Sequence, residues 1–263
     1  MYDDFETLKV TQDGKILTIS FNRPEVNNAT NPQMHQELER IFPLIGTDPE
    51  VHVVILTGEG KCFSAGGDIN SLKASLDNQT RWIESMEEAR RILFAMLDVD
   101  RPVIAKLNGH AVGLGATLAL CCDIVIAKDT AKIADPHVGV GLVAGDGGSV
   151  LWPALVGHAK AKRYLLTGDA ISGEEAERIG LISECAAAEE LDEKVQALAQ
   201  RLADGAAMAI RLTKKAINMD LRQRMDAMIE AHLGFETWSH LSNDHREALE
   251  AFLEKRPPNF TGT

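Results

Sequence analysis

Up to about residue 189 the hydrophobic positions switch between strand-like runs and helical spacing; beyond it only helical spacing remains. Leu8 to Gln12 and Ile16 to Phe21 flank Asp13-Gly14, where glycine accepts the positive φ of a tight turn, so a β-hairpin is predicted. The turn-rich stretch NRPEVNNATNPQM follows, then a helix from Pro32, a residue suited to a first helical turn, to about Leu44. Val51 to Leu56 is a β-branched run, the pattern of a strand buried on both faces in a parallel sheet. It opens into TGEGKCFSAGGDI, whose Gly66 and Gly67 let a backbone approach something closely. Trp82, Met86, Ala89, Leu93 and Met96 recur at spacings of four and three, which predicts an amphipathic helix over 79–98 whose stripe reads as core packing.

Residues 101–149 are the stretch around which the rest is organised. A strand from Val103 to Leu107 runs into Gly109, Gly113 and Gly115, then an apolar helical run from Ala116 to Cys122, then a strand from Ile124 to Ala127. A glycine-studded segment carrying His137 and Asp146 follows. Strand, glycine turn and helix start leave backbone N–H groups free to meet a ligand oxygen, which suits a site that stabilises an oxyanion. The alternation of strands and helices predicts an α/β fold with right-handed crossovers.

From Glu189 onward LDEKVQALAQRLA, MAIRLTKKAINM, LRQRMDAMIEAHL and DHREALEAFLEKR read as four helices. Asp244 and Glu247 have the spacing of a capping box for the last, Leu249, Phe252 and Leu253 give it an apolar stripe, and Pro257-Pro258 ends it. Helices following an α/β core suggest an appendage that packs against another subunit.

The chain has 263 residues, 45% of them hydrophobic, enough for a sizeable core. A net charge of −12 argues against nucleic acid as a partner, because phosphate backbones are met by clustered cations. It leaves room for an anionic small ligand met by local N–H groups or lysines. Cys62, Cys121, Cys122 and Cys185 form no CxxC pair and read as ordinary thiols of a reducing compartment. MYDDFETLKV carries no signal-peptide pattern, and no apolar run approaches the roughly 20 residues of a membrane span, so a cytoplasmic protein is expected.

FNRPEVNNA at 21–29, ILTGEGKCFSAGGDI at 55–69, RPVIAKLNGHAVGLGATLALCCDIVIA at 101–127, LLTGDAISGEEAERIGLI at 165–182 and EALEAFLEKRPPNF at 247–260 together resemble the crotonase superfamily, the enoyl-CoA hydratase/isomerase family. The resemblance covers nearly the whole chain. It implies a spiral of ββα units over 1–200, bearing the oxyanion hole and acyl-CoA site, and a helical C-terminal oligomerisation region over 201–263. It also implies a homotrimer or dimer of trimers. The substrate would be an acyl-CoA thioester, with coenzyme A part of the substrate and no separate cofactor. Carried over by position, the N–H groups of Gly67 and Leu114 would hold the thioester oxygen as it becomes an enolate, a charge best stabilised by preorganised dipoles. Ser64, Ala65, Gly66, Asp68 and Ile69 would lie along the CoA, with Val26 lining the same groove.

The sequence departs from that family at the two glutamates its hydratases use for water addition. One position, two residues after Gly115, is Thr117, whose hydroxyl is far too weakly acidic to serve as a base near neutrality; the other is His137 in Asp135-Pro136-His137. An imidazole with an ordinary pKa of about 6.5 can take or give a proton, and Asp146 in VAGDGGS, its carboxylate left uncovered by glycines, could orient it or act as the base. PH followed by GDG, with Trp152-Pro153 after it, is similar to the 6-oxocamphor hydrolase branch, which cleaves a carbon–carbon bond between two carbonyls.

Three functions therefore stand: an enoyl-CoA hydratase/isomerase-type enzyme with His137 and Asp146 replacing the glutamates, a retro-Claisen hydrolase of a β-dicarbonyl using the same pair, and a non-catalytic acyl-CoA binder. His110 reads as a hydrogen-bonded structural residue, Glu236, Trp238 and His240 as candidates to close the acyl pocket, and Lys255 and Arg256 as surface charges or contacts to a CoA phosphate. No metal-ligand spacing is present, and no metal is expected.

Overall fold

The computed structural model describes residues 2–263. The predicted hairpin is strand β1 (Leu8–Asp13) paired antiparallel with β2 (Ile16–Phe21), and Gly14 at its turn has φ 55°. Helix α1 (Pro32–Thr47) starts at Pro32, its N-cap Asn31 accepting a hydrogen bond from Met34 N at 2.9 Å. It runs past the expected end near Leu44, and past Pro43, because Ile41, Phe42 and Ile45 are fully buried and hold the last turn against the core.

Three strand–strand–helix units follow. β3 (Val53–Gly58) and β4 (Cys62–Ser64) lead to α2 (Ile69–Ser75) and α3 (Gln79–Asp98). β5 (Val103–Leu107) and β6 (His110–Val112) lead to α4 (Leu114–Leu120). β7 (Ile124–Lys128) and β8 (Lys132–Ala134) lead to α5 (Gly148–Leu165), two helical segments that meet at Gly157, φ 73°. β9 (Ile171–Ser172), α6 (Gly173–Arg178) and β10 (Glu184–Ala186) close the core. The first strand of each unit joins a six-stranded sheet, β1-β2-β3-β5-β7-β10, parallel beyond the hairpin; the second joins a four-stranded sheet, β4-β6-β8-β9. This is the spiral of ββα units expected from the resemblance.

All six residues of β3 are buried, as its β-branched run predicts. Alternate residues face opposite ways: Val53 and Ile55 pack with Ile104 and Ile126 under α7 (Leu191–Ala203), while Val54 and Leu56 enter the main core with Ala105 and Val125. Glu37 of α1, wholly buried, accepts N–H bonds from Glu6, Thr7 and Leu8 at 2.9, 2.9 and 3.1 Å and so fixes the start of β1. Burial raises its carboxyl pKa, but bonds from Thr7, Gln33 and the backbone outweigh burial and hold it below the usual range. Glu37→Ala strands three buried donors and is expected to cost about 1–3 kcal/mol in urea denaturation. The wild-type contribution should be present above about pH 4.3 and fade as pH falls through the depressed pKa.

The C-terminal third differs from expectation in two places. MAIRLTKKAINM and LRQRMDAMIEAHL are one helix, α8 (Ala207–His240), because nothing between them breaks helical geometry. The last helix, α9 (Asn243–Glu254), is capped by Ser242, which accepts from His245 N, so Asp244 and Glu247 form no capping box. Asp244 instead accepts from Thr261 N and Gly262 N, and Glu247 from Asn259 N, folding the C-terminal tail back along α9. Phe252 and Leu253 are exposed, leaving only Leu249 of the predicted stripe in the core. Among the described residues no helix is long and apolar enough to cross a membrane.

Candidate active site

Two loops meet at the carboxyl ends of β4 and β6. Asn28, buried in the left-handed region at φ 56°, donates to Glu59 O and Cys62 O, at 2.9 and 2.7 Å, and accepts from Arg23 N. Ser64 Oγ donates to Asn28 O at 2.8 Å and accepts from Gly66 N. Thr30 N donates to Gly66 O and Asp68 N to Thr30 O, which leaves the Gly67 N–H between them outside the bonding pattern. Gly66 has φ 83°, and a Cβ there would lie 2.6 Å from Val112 O; a Cβ on Gly115 would lie 2.6 Å from Ser64. These glycines let the loop after β4 lie against the start of α4, where Leu114 opens the helix and its N–H has no intrahelical acceptor.

Gly67 and Leu114 both border a cavity of about 460 Å³. Val26, Ala65, Gly66, Gly67, Asp68, Ile69 and Leu114 line it, as do His137 and Asp146. Ser64 does not: it is fully buried beneath the loop it braces. Asp68 is engaged in holding the loop, capping α2 through Asn70 N and pairing with Arg23 at 3.2 Å.

Three carboxylates surround His137. The Asp135 carboxylate bonds Nδ1, and on the other side of the ring Nε2 lies 3.6 Å from Asp146 Oδ2 and 3.9 Å from Glu236 Oε1. All three acids are buried, and Asp135 Oδ2 and Glu236 Oε2 have no hydrogen-bond partner among the described residues. Burial opposes a charged imidazole, yet Asp135, Asp146 and Glu236 outweigh it and hold the His137 pKa well above its usual range. Burial pushes the Asp146 carboxyl upward against the pull of His137. Glu236 is pushed well up by burial and then by Asp146, against the pull of His137. The group thus brings together an imidazole favoured in its charged form and two carboxyls pushed upward by burial.

The glycines around Asp146 do not leave it uncovered, as the sequence suggested; it is 4% exposed. Close packing explains them. A Cβ on Gly145 would meet His232 O of α8 at 2.4 Å, and one on Gly148 would meet Asp135 Oδ2 at 1.9 Å. Gly147 has φ 117° and lies against the Thr117 methyl, while Thr117 Oγ1 donates to Asp146 Oδ1 at 3.4 Å. The sequence motifs give Asp135 no role, though a carboxylate two residues before a histidine is the signal that marks it. Glu236 is one of the three residues expected from the sequence to close the acyl pocket. Of the others, Trp238 is exposed, and His240 stacks on Trp82 at 3.9 Å and bonds Ser75. His110 accepts from Lys132 N, Arg256 pairs with Glu247 and Glu254, and Lys255 caps α9 in the left-handed region. Asp135, His137 and Asp146 can each offer one metal-ligand atom within 4.8 Å of the others, a grouping the spacing did not reveal. Both ring nitrogens already face carboxylates, the arrangement of a shared proton.

The sequence profile described as enoyl-CoA hydratase/isomerase matches residues 11–263. The chain belongs to this family. It is 35% identical over 258 residues to a crotonyl-CoA hydratase of Syntrophomonas wolfei, covering 97% of this chain and 98% of the relative. It is 33% identical over 249 residues to the 1,2-epoxyphenylacetyl-CoA isomerase of Escherichia coli, covering 94% of this chain and 95% of the relative. Among solved structures, an enoyl-CoA hydratase/isomerase from Mycobacterium paratuberculosis superposes with a TM-score of 0.90 at 34% identity, over 94% of this chain and 99% of that one.

Glu236 is reached only by α8, and its carboxyl is within 3.9 Å of His137 Nε2. Glu236→Gln keeps the shape but removes a carboxyl able to exchange a proton with His137, so kcat should fall on the order of 10²-fold with an unchanged melting temperature. Steady-state kinetics beside a thermal melt checks this.

Proposed function

We propose that this enzyme converts an acyl-CoA thioester through an enolate, without the two glutamates its family uses for hydration. The thioester oxygen lies between Gly67 N–H and Leu114 N–H, and the dipole of α4 favours the negative charge that develops there. The observation that carries the reading is His137, fixed by Asp135 through Nδ1 and turning Nε2 toward Asp146, in the cavity that Gly67 and Leu114 border. Because Asp135 does the orienting, Asp146 is left to act as the base toward water or an α-proton, and the His137 imidazolium returns a proton. The loop Ala65 to Ile69 and Val26 receive the CoA, which enters as part of the substrate. Exposed Leu212, Ile217, Met219 and Trp238 on α8 suit the contacts of a homotrimer or a dimer of trimers, in keeping with a C-terminal region used for assembly.

The test is loss of the conjugated-thioester absorbance of short- and medium-chain 2-enoyl-CoAs, with His137→Ala and Asp146→Asn run beside the wild type. Hydration that disappears in both variants supports the reading; no turnover at any chain length despite tight acyl-CoA binding sinks it. One observation favours a second reaction. An imidazole oriented by a buried carboxylate is the arrangement that activates water for attack on a carbonyl, so carbon–carbon cleavage of a 3-oxoacyl-CoA or β-diketone would use the same enolate. Those substrates form the second arm of the assay.

A further inference from the structure

Between α1 and α3 lie three titratable side chains, His35, Arg81 and Glu88, that the chemistry at His137 does not use. Arg81 reaches back along α3 to grip Glu88 with two prongs, Nη1 to Oε1 at 3.1 Å and Nη2 to Oε2 at 3.0 Å. His35 of α1 places Nδ1 3.3 Å from Glu88 Oε2, close enough to pair but off the line of a hydrogen bond, and that nitrogen is otherwise without a partner among the described residues. His35 and Arg81 line the active cavity with Ser85, whereas Glu88 lies behind them and does not. Arg81 and His35 thus stand in the cavity wall with their common carboxylate partner set back behind them. Glu84 also touches Arg81, from the solvent side.

A buried ion group is a poor way to join two helices, since apolar residues of similar volume serve as well or better. Burial disfavours the Glu88 anion, but His35 and Arg81 outweigh burial and hold its carboxyl at about 2, so the anchor stays charged at any working pH. A fixed carboxylate on one edge of a guanidinium holds that planar fork in one orientation and leaves its remaining N–H groups for a second acceptor.

We propose that the acyl group taken by this site carries a carboxylate at its far end, received by Arg81 and His35. This rests on the acyl-CoA reading above and narrows it to thioesters of dicarboxylic acids. Glu88 acts only through Arg81 and His35, as a positioning residue.

Calorimetric titration of the full-length enzyme with non-reactive thioesters of matched length tests it: glutaryl-CoA against pentanoyl-CoA, and adipyl-CoA against hexanoyl-CoA. The carboxylates should bind about tenfold or more tightly than their plain partners. Arg81→Met and His35→Asn should each erase that margin while hexanoyl-CoA binds as before; His35→Asn keeps the test intact if loss of Arg81 unfolds the chain. Equal or weaker binding of the carboxylates beside good binding of the plain chains overturns the inference and leaves the acyl-CoA reading standing. Failure of both series overturns both. Weaker binding of CoA alone in the two variants would assign the trio to the CoA and likewise overturn the proposal.

Discussion

His137→Ala is expected to lower kcat by about 10²- to 10⁴-fold while leaving binding of a saturated acyl-CoA nearly intact. In the proposed reaction the imidazole transfers a proton, whereas the Gly67 and Leu114 N–H groups and the Ala65 to Ile69 loop would hold the thioester oxygen and the CoA. The loss should therefore fall on kcat and not on KM. Its pH dependence follows from the surrounding acids. His137 is held above its usual pKa, so wild-type activity should decline on the alkaline side as pH rises through that raised value. Asp135→Asn removes the anion bonded to Nδ1, and the same decline should move to lower pH. Stability carries the same sign. The attraction between imidazolium and carboxylates stabilises the fold fully below about pH 6.5 and is lost as pH rises through the folded-state pKa. The deficit of Asp135→Asn in urea denaturation should accordingly be largest in mildly acidic buffer and shrink in alkali. A pH profile unmoved by Asp135→Asn would remove His137 from the proton transfer.

Gly66→Ala should be nearly as damaging, by a different route. The residue has φ 83°, and the new methyl would lie 2.6 Å from Val112 O, a backbone atom that cannot swing aside. Strain of this kind costs about 1–3 kcal/mol. Relief comes only by separating the loop after β4 from the start of α4, which pulls the Gly67 and Leu114 N–H groups apart. Losing one donor to an oxyanion costs about 10²–10³ in kcat. Gly14→Ala supplies the contrast, with φ 55° but nothing within 4 Å of the new methyl. It should lose about 1 kcal/mol and no activity. Comparable kcat values in the two variants, each measured below its melting temperature, would place the enolate oxygen elsewhere.

Much of this was legible in the sequence because it depends on local periodicity. The β-branched run of β3, the four-and-three spacing on α3 and the Asp13-Gly14 turn each specify an element from residues a few positions apart. Strands β4, β6 and β8 are three residues each, too short for a period to show, and so the second sheet had to come from the family resemblance. The junction inside α8 was misread because its buried face carries Met225, Ile229 and Leu233 in one half and little but Lys214 in the other. The site was half visible. Gly66, Gly67, Leu114 and His137 stand in motifs, but the burial of Asp146 and the arrival of Glu236 depend on α8 crossing the VAGDGGS loop, which no local spacing records.

That crossing helix also sets an order in time. α8 has 34 residues, roughly 51 Å at about 1.5 Å per residue. Near its beginning, Lys214 is seated against Asp123 and the Arg101 carbonyl, just ahead of β7 and β5; near its end is Glu236. A chain leaving the ribosome N-terminus first can assemble both sheets, the oxyanion loops and the Asp135–His137 pair while Glu236 and the His240 partner of Trp82 are still unmade. Nascent and prematurely ended chains would hold the early pieces without the last acid, and only a finished protein would have a complete proton inventory.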